Sequence, residues 1–317
     1  MKKILCLILI CVTFFLTSCN IQSIEQQGTL ITEGYPKTVE NYGRQVTVNH
    51  KPQRVLTLGP NCTELFVALG LEEYVVGKSL VNHSRGALPE YATAVNNIPK
   101  LNYGSATREA VLSSSADFIY ALDWEIGDQG VNLEEAKNYG ISVYVNSATT
   151  LEQQYKEILD IGSIFGVEEN SKKFIDNQKA RVAEVEEKIR GQQPVKVLVY
   201  DSGNNGVFTC SGNNFETRLI EKAGGKNIFS DITNKQWITV GYEEVLKRNP
   251  HVIIVHDYDT PSAEEKIAEI KAHPSLSQLD CVKNNRFVII TLESVLPGPR
   301  IAYSIESLAK GFYPGLF

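Results

Sequence analysis

The chain is poor in the residues that build metal sites and nucleophile sites. Its five histidines show no zinc-ligand spacing and no HExxH motif, which argues against a bare metal ion as ligand. GxSxG is absent too, and no nucleophile–base pair is recognisable, which disfavours an enzyme. Positive charge is also scarce, with 31 Lys and Arg against 37 Asp and Glu. That balance argues against a nucleic-acid partner, because such a partner requires a basic face.

Cysteine is sparse and widely spaced. Of six cysteines, only Cys62, Cys210 and Cys281 lie beyond position 19, and no CxxC pair occurs. A zinc knot or a disulfide framework is therefore not expected. Small buried thiols are the simplest interpretation, and one disulfide with one free thiol stays open.

Long hydrophobic runs are absent except at the amino terminus. Lys2 and Lys3 precede an apolar run over residues 4–16, which is shorter than the about 20 residues that span a bilayer. This pattern is typical of a signal peptide. It ends in Leu-Thr-Ser-Cys at 16–19, which resembles the bacterial lipobox, where the cysteine becomes the first mature residue and carries the lipid. We expect residues 1–18 to be a signal peptide that directs export. We expect Cys19 to carry a lipid that anchors the mature protein to the outer face of the cytoplasmic membrane. Ordinary secretion with cleavage elsewhere is the alternative.

Loss of residues 1–18 removes two lysines and no acids, so the net charge changes from −6 to −8. The remaining chain of about 300 residues is long enough for one large or two medium domains. No second apolar run approaches membrane-spanning length. Whatever crosses the bilayer is therefore another protein.

Three segments of different character follow a polar stretch over 19–50 that we expect to be a tether. Residues 51–149 alternate short apolar runs with helical patterns, which predicts a parallel sheet covered on both faces. Residues 150–192 carry apolar residues at three- and four-residue steps and no strand pattern, which predicts a helical connector. Alternation resumes over 193–317. The fold class is therefore α/β, with two Rossmann-like lobes joined by one long helix.

A weak internal repeat supports two related lobes. Residues 109–120 align with residues 243–254, and each copy has a glutamate that opens a short helix, a Val-Leu pair and an apolar strand. Each copy falls inside its own predicted lobe.

Four motifs carry a family resemblance over most of the mature chain. They are RVLTLGPNCTELFVALG at 54–70, AGGKNIF at 223–229, GYEEVLKRNP at 241–250 and PGPR at 297–300. In this order they resemble the iron-siderophore/cobalamin periplasmic-binding family, although Gly241 stands where Ser is common and His251 where Asp is common. The resemblance implies two lobes on one rigid helix, modest hinge motion and delivery of cargo to an ABC permease dimer.

Aromatic residues mark the expected cleft. Ligands of open α/β sheets bind at the carboxyl ends of the strands. Trp124, Tyr200 and Tyr258 end or follow predicted strands, and Trp237 lies in a predicted loop before the helix near Glu243. Flat aromatic faces suit catecholates, haem or a corrin. Core or rim packing is the alternative for each ring.

Two arginines are candidate ligand contacts. A guanidinium binds anionic chelate oxygens well, and the resemblance places Arg300 in the cleft. A surface ion pair at the start of a helix is the alternative for Arg300, and Arg85 is a second candidate. Glu64 is expected to be only an acid near a helix start, and a single histidine such as His256 is more often structural.

Glu109 and Glu243 are the candidate docking residues. The resemblance implies one glutamate on each lobe that pairs with permease arginines, and the repeat places these two at matching positions. Two carboxylates related by a pseudo-twofold axis suit a twofold permease. The alternative is a helix-start acid favoured by the dipole.

A phosphate-loop interpretation of Gly77-Lys78-Ser79 fails on its spacing. Glu72 stands where the first glycine of such a loop is required, so the phosphate cradle is not encoded.

The leading hypothesis is therefore a lipid-anchored binding protein for a metal chelate, most simply a ferric siderophore, without a cofactor or metal of its own. Cobalamin or haem on the same scaffold is the near alternative. A lipid-anchored enzyme and a ligand sensor are more distant alternatives. We assume a monomer.

Overall fold

Helices and strands alternate along residues 34–317, the part of the chain that the computed structural model describes. The strands are β1 (Lys37–Asn41), β2 (Arg44–Val48), β3 (Val55–Leu58), β4 (Val75–Ser79), β5 (Phe118–Leu122), β6 (Ser142–Asn146), β7 (Val195–Tyr200), β8 (Ser202–Gly203), β9 (Val207–Cys210), β10 (Gly225–Asn227), β11 (Trp237–Val240), β12 (Val252–Asp257) and β13 (Phe287–Thr291). The helices are α1 (Pro60–Ala68), α2 (Ala92–Asn97), α3 (Arg108–Ser113), α4 (Leu133–Asn138), α5 (Leu151–Phe165), α6 (Glu168–Lys188), α7 (Phe215–Lys222), α8 (Tyr242–Arg248), α9 (Ala263–Ala272), α10 (Asp280–Lys283), α11 (Leu292–Val295) and α12 (Ile301–Phe312).

Two four-stranded parallel sheets form the framework. The first has the order β4-β3-β5-β6 and the second the order β10-β7-β12-β13. With the strands of each sheet numbered along the chain, both orders are second, first, third, fourth. Strands β3 and β5 are buried along their whole length, because continuous apolar runs suit a sheet covered on both faces. The predicted fold class is confirmed, and we call the two halves the first lobe and the second lobe.

The repeat in the sequence corresponds to a repeat in space. Helix α3 leads into β5, and helix α8 leads into β12. Each of these strands is the third of its sheet, beside the first strand. The two copies therefore occupy equivalent places in the two lobes.

The long helix α6 lies between the two lobes in the chain, and α5 precedes it and packs against it. Helix α5 begins with a capping box at Thr150 and ends at Gly166, whose φ of 69° is a left-handed conformation that glycine adopts readily. A Cβ on Gly162 would lie 1.7 Å from Ser171 Oγ, so this glycine lets α5 and α6 pack closely. Helix α6 has 21 residues and pairs with α12 through Arg181 and Glu306, at 2.8 Å.

The prediction of a tether over 19–50 is wrong for its last part. Strands β1 and β2 pair as an antiparallel hairpin, with Val46 and Val48 buried. Asn41 links the hairpin to β6 through two hydrogen bonds. Its side-chain oxygen accepts from Val145 N, at 2.7 Å, and its side-chain nitrogen donates to Val145 O, at 2.8 Å. Two short strands with one exposed face have a sequence pattern too weak to be distinguished from that of a polar loop. The other predicted domain boundaries stay predictions.

A small antiparallel sheet of β8, β9 and β11 in the second lobe is a further addition. It pairs Trp237 with Cys210 across β11 and β9. Trp237 therefore lies on a strand and not in the loop that the sequence suggested. The pairing of β11 with β9 restricts the position of the Trp237 backbone.

Cys62, Cys210 and Cys281 are buried thiols, and none is in a disulfide within residues 34–317. No helix of that range is both long and apolar enough to cross a membrane. The predicted signal peptide and Cys19 lie outside the described residues.

Candidate functional site

A narrow cavity of about 20 Å³ lies between the lobes, at the carboxyl ends of β5 and β6. The first lobe lines it with residues that include Trp124 and Asn146, and the second lobe with Asn214, Trp237 and Leu296. This volume holds about one water molecule, whereas ligand pockets measure about 300–1,000 Å³. The two lobes are therefore closed onto each other, and a ligand that needs a pocket of that size requires their separation.

Aromatic rings from both lobes meet at the edge of this cavity. Trp124 is 43% exposed, and its ring lies 6.4 Å from that of His83. The His83 ring stacks on Tyr258 of the second lobe, with 5.9 Å between centroids and 17° between planes. Burial lowers the pKa of His83 below its ordinary value, so the neutral ring is favoured there. The three rings therefore form an aromatic cluster that extends from one lobe to the other.

Trp237 lies on the second-lobe side of the cavity. It stacks on Phe208 at 5.5 Å and 20°, and it meets the ring of His256 edge-on at 6.0 Å. Offset stacking and edge-to-face contacts both restrict a ring's orientation. The indole is thus held by its own lobe and is part of the cavity wall.

A buried polar network contacts two of these aromatic rings, those of Trp237 and Tyr258. His256 is fully buried, with Nδ1 3.0 Å from Asp201 and Nε2 3.0 Å from Glu216. Tyr258 also donates a hydrogen bond to Asp201, at 3.2 Å. Burial opposes protonation of His256, but Glu216 and Asp201 outweigh it and raise its pKa to about 9. The ring is therefore an imidazolium that joins two carboxylates at neutral pH.

Asp201 and Glu216 were not predicted from the sequence, in which His256 was expected to be a lone structural histidine. Asp201 follows β7, Glu216 lies in the first turn of α7, and His256 is near the end of β12. The parallel pairing of β7 and β12 brings their carboxyl ends together. A polar residue directly after each strand was the available signal.

Arg300 does not face the cavity. Its side chain is 5% exposed and pairs with Glu64, from Nε to Oε1 at 2.8 Å. It also donates to Gly86 O and Ser294 Oγ, at 2.8 and 2.9 Å. These acceptors belong to both lobes, so the guanidinium joins them and has little donor capacity left for a ligand. Glu64 is accordingly more than a helix-start acid.

Gly298, in the PGPR motif that ends with Arg300, permits the same contact between lobes. A Cβ on Gly298 would lie 2.9 Å from Asn61 Cβ, and Asn61 donates to Pro297 O at 2.6 Å. The close approach therefore requires glycine.

Arg85 lies on the loop after β4, and its guanidinium pairs with Asp257 of the second lobe through two hydrogen bonds, at 3.0 and 3.1 Å. Its side chain is 38% exposed. The same loop is bound by Glu293, which accepts from Ser84 Oγ at 3.1 Å and from Arg85 N at 3.0 Å. Arg85 is thus the more accessible of the two candidate arginines.

Tyr200 lies in the core of the second lobe and does not line the cavity between the lobes. It is 1% exposed and packs in the second-lobe core. A Cβ on Gly203 would lie 2.0 Å from its hydroxyl. The side chain of the last residue of β7 points into the helical layer, whereas the next residue, Asp201, belongs to the polar network described above. A ligand contact for Tyr200 has no support in this geometry.

Glu109 and Glu243 occupy matching positions. Each lies exposed in the first turn of its short helix, α3 or α8. No ion pair engages either carboxylate among residues 34–317. Within the same residues, no group of three or more His, Cys, Asp and Glu side chains is arranged to hold a metal ion.

Two parallel-sheet lobes of equal strand order, joined by a helical connector around an aromatic cleft, define a bilobal solute-binding protein. Comparison with known sequences gives the family. The chain belongs to the periplasmic binding protein family, whose model matches residues 55–293. Members of this family bind small molecules for ABC importers and are not enzymes, and this chain is a solute-binding component of that kind.

Similar proteins span most of the chain. An uncharacterized ABC transporter substrate-binding lipoprotein, YvrC of Bacillus subtilis, is 26% identical and covers 90% of this chain and 88% of its own. A vitamin B12-binding protein of Photorhabdus laumondii is 26% identical, with 82% and 87% covered. A periplasmic binding protein of Veillonella parvula has a solved structure with a TM-score of 0.78 at 21% identity, with 88% and 97% covered, which shows the fold.

Proposed function

We propose that this protein captures a metal chelate, a ferric siderophore, between its lobes and delivers it to an ABC permease dimer. One observation carries the proposal: the rings of Trp124, His83 and Tyr258 form an aromatic cluster from the first lobe to the second, with 6.4 and 5.9 Å between neighbouring ring centroids. Flat aromatic surfaces bind planar, partly apolar ligands well. Trp124 and Trp237 both line the cavity.

The one charged residue that lines the cavity among residues 34–317 is Asp123. An anionic ligand is suited instead by Arg85, at the contact between the lobes, whose carboxylate partner Asp257 belongs to the opposite lobe. When the lobes separate, this guanidinium loses its partner and becomes available to chelate oxygens. A guanidinium binds carboxylate and catecholate groups through two parallel hydrogen bonds.

Cobalamin is the second candidate cargo. It is favoured by the 26% identity to the vitamin B12-binding protein of Photorhabdus laumondii. A corrin ring is also flat and largely apolar, and it suits the same aromatic cluster.

Delivery is proposed to depend on Glu109 and Glu243. Both are exposed in the first turns of equivalent helices. A twofold permease offers the same basic patch twice, which suits two carboxylates in equivalent positions. The anchor is proposed to be a lipid on Cys19, supported by the Leu-Thr-Ser-Cys tetrapeptide at 16–19 and by the relative from Bacillus subtilis whose name includes lipoprotein.

Tryptophan fluorescence tests the cargo directly, because the chain contains only two tryptophans. The purified protein is titrated with catecholate and hydroxamate ferric siderophores, cobalamin and haem. The Trp124→Phe variant leaves Trp237 as the sole reporter, and Trp237→Phe leaves Trp124. Saturable quenching by a ferric siderophore in both variants supports the proposal. Quenching by cobalamin alone selects the second candidate, and no response to any compound rejects both.

A further inference from the structure

The wall of the cavity between the lobes is polar at one charged position and otherwise uncharged. The charged residue is Asp123, and the other polar side chains of the lining are Asn146, Ser147, Asn214 and Gln236. Arg85, which suits an anionic group, does not belong to this lining. Among the residues that the structure describes, the cavity wall thus carries one acid and no base.

Asp123 is weakly satisfied by the protein itself. No lysine, arginine or histidine forms an ion pair with its carboxylate among residues 34–317. Gln236 Nε2 of the second lobe donates to Oδ2 at 3.3 Å, which is long for a hydrogen bond, usually about 2.9–3.0 Å. Burial raises the pKa of Asp123 above its ordinary value, and hydrogen bonds from the Trp124 backbone and from Gln236 offset this only in part.

Two of the neighbouring amides are held by contacts on their own side of the cavity. The Asn146 amide donates to a buried carboxylate of α5, at 2.7 Å, and the Asn214 side chain accepts from a backbone N–H at the start of α7, at 2.9 Å. The hydrogen bond between Asp123 and Gln236 instead crosses from the first lobe to the second. Separation of the lobes therefore frees the carboxylate and leaves the two asparagines bonded as before.

A freed carboxylate in this cavity requires a new hydrogen-bond donor, because burial of an unpaired charge is costly. Trp124, the next residue in the chain, lines the same cavity, so a cargo that contacts this indole lies beside the Asp123 carboxylate. An ammonium is the strongest donor for a carboxylate, since both partners are charged. An anionic group at the same place meets a like charge, and the cavity discriminates against it.

We propose that Asp123 determines the specificity of the cleft by accepting a hydrogen bond from an N–H group of the cargo, preferentially an ammonium, in place of Gln236. This inference rests on the proposed function and names a class within it, the chelates that carry an amino group. Asp123 and Arg85 then bind opposite charges of the cargo. The amino group enters the cavity, and an anionic group binds at the contact between the lobes.

Two ferric chelates that differ only in one amino group test the proposal. Ferrioxamine B is a ferric trihydroxamate with a free terminal ammonium, and its N-acetyl derivative holds the iron in the same way without that charge. Each is titrated into the purified protein by calorimetry, at constant pH and ionic strength. We expect the wild type to bind ferrioxamine B about tenfold more tightly, because a hydrogen bond between charged groups contributes more than one to a neutral amide.

A matched pair of variants assigns this preference to Asp123. In Asp123→Asn the ratio of the two affinities should fall to about one, because the amide keeps the size of the side chain and removes its charge. Asp176→Asn is the control, since Asp176 is an exposed acid on α6 and should keep the wild-type ratio. A role of Asp123 in folding alone would change both affinities together and leave their ratio unaltered.

Equal binding of the two chelates by the wild type overturns the proposal, and this comparison decides even if Asp123→Asn does not fold. An unchanged ratio in a folded Asp123→Asn also overturns it. Binding of an anionic catecholate chelate or of haem, without binding of either ferrioxamine, rejects the role of Asp123 and leaves capture of a chelate intact.

Cobalamin offers amide N–H groups as donors. If cobalamin alone binds, a loss of about tenfold in Asp123→Ala supports the proposal, and unchanged affinity rejects it. If the chelates, cobalamin and haem all fail to bind, the proposed function fails as well, so the two failures are distinguishable.

Discussion

Arg300 and Glu64 form a buried ion pair that joins the two lobes, although 236 residues separate them along the chain. Both side chains are almost fully buried, at 5% and 2% exposed. Glu293 lies 3.5 Å from the same guanidinium, and Gly86 O accepts from it. The pair is thus the centre of a polar contact between the lobes.

Removing Arg300 should destabilise the protein strongly. Arg300→Ala leaves the Glu64 carboxylate buried without its partner, which costs about 3–5 kcal/mol of unfolding free energy. Arg181→Ala is the matched control, because its partly exposed pair with Glu306 should contribute about 0–1 kcal/mol. Urea unfolding followed by circular dichroism measures both. Equal losses in the two variants would show that burial of the first pair has no special effect.

Loss of the Trp237 indole should weaken cargo binding by about tenfold or more, because buried aromatic anchors dominate binding energy. The variant is Trp237→Ala, measured by calorimetry with the cargo that the fluorescence panel selects. Tyr139→Ala is the control, since Tyr139 is 64% exposed and outside the cleft lining. Unchanged affinity in Trp237→Ala would remove this residue from the site.

Charge reversal at the proposed docking residues should separate delivery from capture. In Glu109→Arg and Glu243→Arg, cellular uptake should fall by about tenfold or more because like charges would meet at the interface. Cargo affinity of the purified variants should stay at the wild-type value. Glu184→Arg, an exposed acid on α6, is the control. Normal uptake by the double variant would contradict the docking proposal.

The His256 network predicts a stability that declines in alkali. The pKa of His256 is about 9 in the folded protein against an ordinary 6.5, so the folded chain keeps a proton that the unfolded chain releases. Its contribution is full below pH 6.5 and is lost as pH rises through 9. The difference corresponds to up to about 3 kcal/mol. Urea unfolding between these pH values should show the decline in the wild type and a flatter profile in His256→Gln. A ring that is neutral by ¹⁵N NMR at pH 7.5 would disprove the assignment.

Periodicity was sufficient to predict most of the framework. The apolar runs at 117–122, 195–200 and 287–291 correspond closely to β5, β7 and β13. Strands that are buried on both faces consist of consecutive apolar residues, and this pattern is visible in the sequence. The hairpin of β1 and β2 and the β8-β9-β11 sheet were not predicted, since short half-exposed strands carry little signal.

The candidate site was predictable only in part. Both tryptophans line the cavity, Trp124 from a position that follows a predicted strand and Trp237 from a segment that was predicted to be a loop. Arg300 was assigned to the ligand because its charge is visible in the sequence, but its partner Glu64 is distant in the chain and no local pattern links them. Tyr200 was predicted to contact the ligand, but its neighbour Asp201 belongs to the polar network. Side chains of consecutive strand residues point to opposite faces, so a shift of one position exchanges core and cleft.

The contact between Arg85 and Asp257 has a consequence for measured affinities. In the closed arrangement these side chains satisfy each other across the cleft, so an incoming anion competes with Asp257 for the same guanidinium. The observed dissociation constant is then the intrinsic constant divided by the fraction of molecules in the binding-competent state. Asp257→Asn would weaken this internal competitor, and an anionic cargo should then bind more tightly, although no residue has been added to the site.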